Sequence, residues 1–270
     1  MPDKVDLRTA SWKYRGTKER MAKFAKLVEE ARQALAEKGT EIQRKRFEVF
    51  LAGTWSYMQA GRAEYERLTA APIPSVRVPR VAAAEGDPTK VDWTKAVALS
   101  GPWYNKTDKP AARKLSGQIA HDGKFLYLEL VDPCETRKLT ASSTVFAYDT
   151  WEIFMAKQRG LPYRQYASGP TGLAISLSDG EINWRMNVPM EGLGFRVVSD
   201  ATAPDRWVSR LSWPLEKMLP GGIKAGDTFY MNAVRGAGPA ITGAGMDADS
   251  WVSFSTMHDV KRLAEFRLEP

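Results

Sequence analysis

Residues 149–154, Asp-Thr-Trp-Glu-Ile-Phe, form the stretch that decides the fold class of this chain. β-Branched and aromatic residues favour a strand, in which successive side chains point to opposite faces of the sheet. We therefore expect Asp149, Trp151 and Ile153 to share one face and Glu152 to point the other way. A glutamate on such an apolar strand either meets solvent or lines a polar pocket.

Short strand-like segments, separated by glycine, proline and aspartate turns, continue from residue 81 to the C-terminus. The residues His121-Asp122-Gly123 predict a hairpin turn between the first two of them. Many short strands without intervening helices predict a mainly β fold, an antiparallel β-sandwich of the jelly-roll kind. The candidate strands are residues 116–120, 125–131, 151–156, 172–178, 207–213, 228–234 and 266–268.

Residues 1–71 have a helical period instead. Apolar side chains recur at intervals of three and four from Phe24 to Leu35 and again from Phe47 to Met58, with a break at Gly39. This pattern predicts an α-helical hairpin with one apolar stripe on each helix. Because two helices cannot bury such wide stripes alone, we expect them to pack on something else, either the rest of this chain or a missing domain. Prolines then predict a connector over 72–80 and a separate domain over 81–270.

The distribution of charge does not indicate binding to nucleic acid. Lys and Arg outnumber Asp and Glu by 39 to 32, a net charge of +7, and the whole excess lies in residues 1–80, where a solvated helical face accounts for it. The sequence has no apolar run that could span a membrane and no signal peptide at its N-terminus. Cys134, the only cysteine, can form neither an internal disulfide nor a thiolate zinc site.

The region 81–270 resembles the family 9 carbohydrate-binding modules, a β-sandwich group that also includes haem-binding domains. The resemblance depends on six motifs in the same order as in the family. They are Asp-Trp-Thr-Lys-Ala at 92–96, Ile-Ala-His-Asp-Gly-Lys-Phe-Leu-Tyr at 119–127, the opening stretch at 149–154, Trp-Pro-Leu at 213–215, Met-Asn-Ala-Val-Arg at 231–235 and Ser-Trp at 250–251. The preceding helices, with Arg46-Phe47 and Trp55-Ser56-Tyr57-Met58, resemble the end of a bacterial glycoside-hydrolase-like domain of unknown function.

The resemblance implies a site that grips a terminal sugar between two aromatic rings and binds its hydroxyls with charged and amide groups. It implies Trp251 as one ring and Phe146, with Tyr148 nearby, as the other, although the family usually has tryptophan at that second place. The implied hydroxyl-binding residues are Glu152, Arg164, Gln165, Tyr166, Asn232 and Arg235. Relatives often hold structural calcium, for which Asp87, Asp247 and Asp249 offer loop oxygens.

We therefore expect a non-catalytic carbohydrate-binding module that needs no cofactor. By the same resemblance it is the C-terminal part of a larger extracellular or periplasmic glycan-degrading protein, with a catalytic domain upstream. One alternative is a protein interaction or assembly module that uses the basic helices. A second is a haem-binding domain, which needs an axial His/Met or His pair; the candidates are His121, His258 and Met257, of which the adjacent Met257 and His258 cannot both reach one iron from opposite sides. A third is independent catalysis, which Asp149 and Glu152 serve poorly because they should point to opposite strand faces. Glu152 and Arg164 could also be a simple cross-strand ion pair.

Overall fold

The computed structural model describes residues 16–70, 73–107, 109–253 and 258–270. The chain divides into two compact units between Pro72 and Ile73. Within the described part, no helix has both the length and the apolar character that a membrane span requires.

The first unit is the predicted helical hairpin. Helix α1 (Lys18–Lys38) is followed by α2 (Glu41–Phe50), which continues through a π-helical turn (Leu51–Trp55) into α3 (Ser56–Ala70). The Phe24 ring of α1 lies 5.2 Å from the Trp55 ring and closes a small apolar cluster between the helices. The break at Gly39 is an extended residue rather than a left-handed cap. A side chain there would collide with the Leu35 carbonyl, only 2.5 Å from an added Cβ.

The second unit is a two-sheet sandwich. Its strands are β1 (Ser75–Val78), β2 (Val97–Ala98), β3 (Tyr104–Asn105), β4 (Ser116–His121), β5 (Phe125–Asp132), β6 (Thr150–Ala156), β7 (Tyr163–Ser168), β8 (Ala174–Asp179), β9 (Val188–Pro189), β10 (Arg196–Asp200), β11 (Trp207–Pro214), β12 (Thr228–Ala237), β13 (Asp247–Ser250) and β14 (Ala264–Leu268), and a short helix α4 (Pro239–Thr242) follows β12.

The first sheet has the order β1-β14-β12-β6-β7-β8-β9, and β13 pairs with both β12 and β3. The second sheet has the order β10-β11-β5-β4-β2. All strand pairs are antiparallel except β1 with β14.

The core between the sheets is rich in tryptophan. Trp151 of β6 lies 6.0 Å from Trp207 of β11 and 5.8 Å from Trp103, so the rings bridge the two sheets. Ile153 points into the same core, whereas Glu152 points to the opposite side of the first sheet. The alternation expected for β6 is therefore confirmed, and with it the mainly β sandwich.

The structure corrects the expected strand pattern. Residues 75–78, expected in the connector, are extended but form strand β1 of the first sheet. The candidates also lacked β7 and β10, the four-residue strand β13 and the two-residue strands β2, β3 and β9. In β7 every residue from Tyr163 to Ser168 is buried, including an arginine and a glutamine. A strand that is covered on both faces and carries polar groups on both faces shows no alternation in its sequence.

Candidate functional site

Three of the residues implied by the resemblance meet on the outer face of the first sheet, the face turned away from the second sheet. Glu152 of β6, Gln165 of β7 and Asn232 of β12 all lie there, and Gln165 and Asn232 flank Phe154 in register. All three are buried. The Gln165 side-chain amide donates to Oε2 of Glu152 at 2.6 Å. The structure thus places these three residues on one face, and their role in binding stays a prediction.

Glu152 is the chemically distinctive member of this group. Its side chain is 4% exposed, and no described residue donates a hydrogen bond to its Oε1. Burial raises the pKa of this carboxyl group to about 7, and the bond from Gln165 only partly offsets the effect. Near neutral pH the group is therefore present in both forms. One oxygen remains available to accept a hydrogen bond when ionised or to donate one when protonated.

Asn232 has a structural task instead. Its amide nitrogen donates to Ser250 Oγ at 2.7 Å, and its amide oxygen accepts from the Val252 backbone N–H at 3.0 Å. Both ends of the amide are therefore used to hold the segment that follows β13. Asn232 fixes the wall of the candidate site and offers little to a ligand.

The aromatic candidates before β6 lie in a short 3-10 turn, Val145–Ala147. Val145 anchors the turn because its side chain is buried, and the turn lies beside β6 and β7. Phe146 is half-buried, and Tyr148 is 41% exposed. Neither ring stacks on another aromatic side chain within the described residues. Both remain candidates for contact with a ligand beside Glu152.

Trp251 cannot be a stacking wall in this structure. Ser250 pairs with Val234 and takes the outer face, so the next residue turns towards the core. Trp251 is 1% exposed, its indole nitrogen donates to the Ser100 carbonyl at 3.1 Å, and its ring lies 5.6 Å from Phe266. The role implied for it is therefore wrong, because the two-residue period of the strand carries it into the core.

Arg164 and Tyr166 face away from Glu152, so the expectation that they contact the ligand beside it is also wrong. Arg164 forms a two-bond pair with Glu181, at 2.8 and 3.1 Å, and donates to the Lys217 carbonyl. The Tyr166 hydroxyl donates to the Met218 carbonyl at 2.7 Å. Both side chains hold loops to the sheet. Because Arg164 lies on the other face, the alternative of an ion pair with Glu152 is also excluded.

Arg235 belongs to a buried charge network rather than to a binding rim. Its guanidinium donates to Asp132 and Asp149, each at 2.8 Å, and all three side chains have no solvent exposure. The group also lies 4.8 Å from the Trp207 ring. A guanidinium with two carboxylates and an aromatic face has the partners that a buried charge needs. Asp149 and Glu152 therefore lie on opposite sides of the strand, as expected.

The three proposed calcium ligands are not assembled into a site. Asp249 accepts from Arg113 at 2.6 Å, Asp247 pairs with Lys106 at 3.6 Å, and Asp87 accepts from the Thr89 hydroxyl at 2.7 Å. No group of three or more acidic, histidine or cysteine side chains within the described residues could hold a metal ion. The calcium assignment to these residues is therefore wrong.

The histidines and the cysteine do not form a reactive centre. His121 lies in β4 of the second sheet, fully buried, and its Nδ1 accepts from the Gly123 amide. His258 lies against the first sheet, 2.7 Å from the Tyr163 hydroxyl, while Met257 is outside the described residues. The two histidines therefore cannot share one haem iron. Burial raises the pKa of the Cys134 thiol to about 11, which suppresses the nucleophilic thiolate.

Two solved structures share this architecture. One is a family 9 carbohydrate-binding module from Caldicellulosiruptor kristjanssonii in complex with cellotriose, with a TM-score of 0.53, 13% identity, and coverage of 72% of this chain and 93% of that one. The other is a Bacteroides uniformis protein provisionally assigned as carbohydrate-binding, with a TM-score of 0.56, 15% identity, and coverage of 73% and 99%. The sandwich has the fold of the family 9 carbohydrate-binding modules. No protein-family model and no curated protein matches the sequence. At such low identity the likeness establishes the family 9 fold and leaves the ligand to be argued from the site.

One exposed aromatic residue was missed by the sequence reasoning. Trp184 lies in the loop between β8 and β9, and its side chain is 75% exposed. The signal was present, because Gly180, Asn183 and Asn187 surround it with residues that favour turns. An aromatic side chain inside a turn-rich segment is a candidate for presentation at the surface.

Proposed function

We propose that the sandwich is a non-catalytic carbohydrate-binding module that holds a terminal sugar over Glu152. The observation that carries this proposal is the free Oε1 of a carboxyl group that is otherwise buried on the outer face of the first sheet. A carboxyl oxygen that has no protein partner can accept a hydrogen bond from a ligand. A sugar hydroxyl that donates to Oε1 would supply that bond. The cellotriose complex of a module with the same fold supports carbohydrate as the ligand class.

The residues near Glu152 in the fold are of the chemical types that bind sugars. Gln165 fixes one oxygen of Glu152 and leaves its own amide oxygen without a partner among the described residues. Tyr148 and Phe146 supply aromatic surface on the turn that enters β6. A sugar ring has an apolar C–H face and a rim of hydroxyls, so an aromatic wall and a polar floor complement it. Phenylalanine offers less stacking area than the tryptophan usual in the family, so we expect an affinity in the millimolar to micromolar range.

The test is calorimetric titration with glucose, cellotriose, xylotriose, mannotriose and galactose. Glu152→Gln keeps the shape of the side chain and its bond from Gln165 but removes the carboxylate. We expect the variant to bind the recognised sugar about tenfold more weakly, since hydrogen bonds to a charged group contribute about 1.5–3 kcal/mol. The matched control is Glu216→Gln, which makes the same change at an exposed position.

Equal affinities for wild type and Glu152→Gln would remove Glu152 from the site. Wild-type protein that binds none of these sugars, nor a broader glycan panel, would contradict the function itself. In either case the fold would stand, because it depends on the sheets and not on the ligand.

We further propose that the module acts beside an upstream catalytic domain, outside the cytoplasm. The helical unit exposes the apolar side chains of Leu27, Ile42, Val49 and Tyr57, which a neighbouring domain or a protein partner could cover. The coding sequence upstream of Met1 tests this extension. A hydrolase-like domain in the same reading frame would support it. A translation start at Met1 would favour the alternative in which the helices bind a separate protein.

A further inference from the structure

The loop between β8 and β9, residues 180–187, presents Trp184 to solvent at the edge of the first sheet. The other tryptophans that the structure describes are buried or half-buried. Trp184 therefore makes no contribution to the core that would explain its place. Its presentation depends on the conformation of the loop.

The loop is closed by its own backbone. The Gly180 N–H donates to the Arg185 carbonyl at 2.8 Å, and the Arg185 N–H donates to the Ile182 carbonyl at 2.9 Å. The Asn187 N–H donates to the carboxylate of Asp179 at 2.8 Å, and Asp179 is fully buried at the end of β8. The two ends of the loop are thus tied to one rigid position in the sheet.

An ion pair between the buried Arg164 and the half-buried Glu181 anchors the loop. Glu181 accepts two bonds from Arg164 of β7, at 2.8 and 3.1 Å, and a third from the Ser178 hydroxyl at 2.9 Å. The arginine that the resemblance implied as a sugar contact therefore holds this loop instead. Its side chain is buried, so the anchor is fixed by the sheet rather than by solvent-exposed contacts.

The backbone at the tip is in an unusual conformation. Trp184 has a φ of 60°, and Asn183 and Asn187 have φ values of 49° and 55°. Asparagine adopts this left-handed region readily, whereas a bulky aromatic residue rarely does. Such conformations persist where the surroundings fix them and are concentrated at ligand-binding sites. The strained backbone at Trp184 therefore marks its side chain as a candidate for ligand binding.

The polar side chains next to Trp184 in the sequence are exposed. For Asn183, Arg185 and Asn187, no side-chain hydrogen bond or ion pair is made within the described part of the chain. An exposed indole in a loop that also carries amide and guanidinium groups complements the C–H face and the hydroxyl rim of a sugar ring. We propose that Trp184 is a stacking platform for a sugar unit within a polysaccharide chain.

This platform is separate from the Glu152 site. Glu152 pairs with Ala167 near one end of β7, whereas Asp179 at the base of the loop pairs with Tyr163 at the other end. Four residues of strand correspond to about 13 Å. The inference depends on the proposed function, since the platform gives the same class of ligand a second place of contact.

Affinity electrophoresis against hydroxyethylcellulose, barley β-glucan and xylan, with calorimetry against glucose, tests the platform. We expect Trp184→Ala to weaken binding to the recognised polymer by about tenfold, the usual effect of losing an aromatic anchor, and to leave glucose binding unchanged. Trp184→Phe should retain part of the polymer affinity. Met186→Ala is the matched control, since it removes an exposed apolar side chain from the same loop, and it should behave as the wild type. Near-UV circular dichroism verifies that each variant keeps its packed core.

The outcomes distinguish this inference from the proposed function. Polymer binding by the wild type that persists at full strength in Trp184→Ala would overturn the platform and leave the Glu152 site intact. Sedimentation that shows a wild-type dimer, lost in Trp184→Ala, together with unchanged polymer binding, would assign the loop to self-association and also overturn it. Weaker polymer binding in Trp184→Ala beside an unaffected Glu152→Gln would support the platform and refute the Glu152 site. A wild-type protein that binds neither polymer nor any short sugar would overturn both.

Discussion

Substitution of Glu152 by glutamine should change how the stability of the protein depends on pH. The carboxyl group has an ordinary pKa of 4.5, and burial in the folded protein raises it to about 7. An acid that titrates at higher pH in the folded state favours folding while it is protonated. That contribution is fully present below about pH 4.5, is lost progressively as pH rises to about 7, and stays absent above it.

The size of the effect follows from these two pKa values. Their difference corresponds to about 3 kcal/mol of unfolding free energy. The side chain is almost fully buried, so solvent screening reduces this value little. Glutamine has the shape of the protonated acid and can still accept the bond from Gln165. The Glu152→Gln variant should therefore not lose stability as the pH rises through this range. Its stability relative to the wild type should rise by up to about 3 kcal/mol between about pH 4.5 and pH 7.5.

Urea unfolding followed by near-UV circular dichroism, at half-unit pH steps, measures this difference. The signal reports mainly on the buried aromatic residues, of which the sandwich core has many, such as Trp151 and Trp213. Glu216→Gln is the control and should follow the wild type at every pH. Parallel curves for wild type and Glu152→Gln would refute the reasoning, since they would show that the carboxyl group titrates alike in the folded and unfolded chains.

Three further outcomes follow from the packing. Trp251→Phe should leave sugar affinity unchanged in calorimetry, because the Trp251 ring lies in the core, whereas Phe146→Ala should weaken it several-fold if Phe146, on the turn before β6, is the aromatic wall of the site. The opposite result would reinstate Trp251 as a binding residue. Arg235→Met should lower the unfolding free energy by about 3–5 kcal/mol in urea titrations, because it removes the guanidinium that two buried carboxylates share; a loss below about 1 kcal/mol would contradict the buried network. The Cys134 thiol should react with a disulfide reagent at pH 8 far more slowly than a free cysteine, because its pKa is raised to about 11; reaction at the rate of free cysteine would contradict its burial.

The sequence predicts those parts of the fold whose signal is local. The alternation around Trp151 and Glu152 is such a signal, because the two-residue period of a strand predicts the face to which each side chain points. The helical hairpin is another, because its stripes and its capping residues Thr17 and Thr40 are close together in the chain. These features need no knowledge of distant partners.

The parts that the sequence could not place depend on partners far along the chain. Arg235 and Asp132 are 103 positions apart, so nothing local shows that their charges are paired in the interior. Arg164 and Lys217 are 53 positions apart, so nothing local shows that Arg164 donates to the Lys217 backbone carbonyl. Resemblance to a family suggested hydroxyl-binding roles for both arginines. The two-residue period of a strand could have corrected the role assigned to Arg164. Arg164 and Gln165 are adjacent in β7, so their side chains point to opposite faces of the sheet.

The role of Trp251 failed for a related reason. The turn residues around 243–249 suggested an exposed loop, yet β13 begins at Asp247 and pairs with β12. The register of that pairing decides which face each residue takes, and the register depends on a partner strand earlier in the chain. Ala233 leaves space in the core, and the backbone N–H of Trp251 donates to the Ala233 carbonyl at 2.9 Å.

The most direct test of the central claim is an NMR titration of the intact chain with cellotriose, with glutamate and glutamine side chains labelled by ¹³C and ¹⁵N. We expect the carboxyl carbon of Glu152 and the side-chain amide of Gln165 to shift together in a saturable way, while the Trp251 indole signal stays in place. The expected shift of the carboxyl carbon is towards the ionised form, because a hydroxyl that donates to Oε1 stabilises the charge. Saturable binding of this or another sugar that leaves both side chains unmoved would contradict the account.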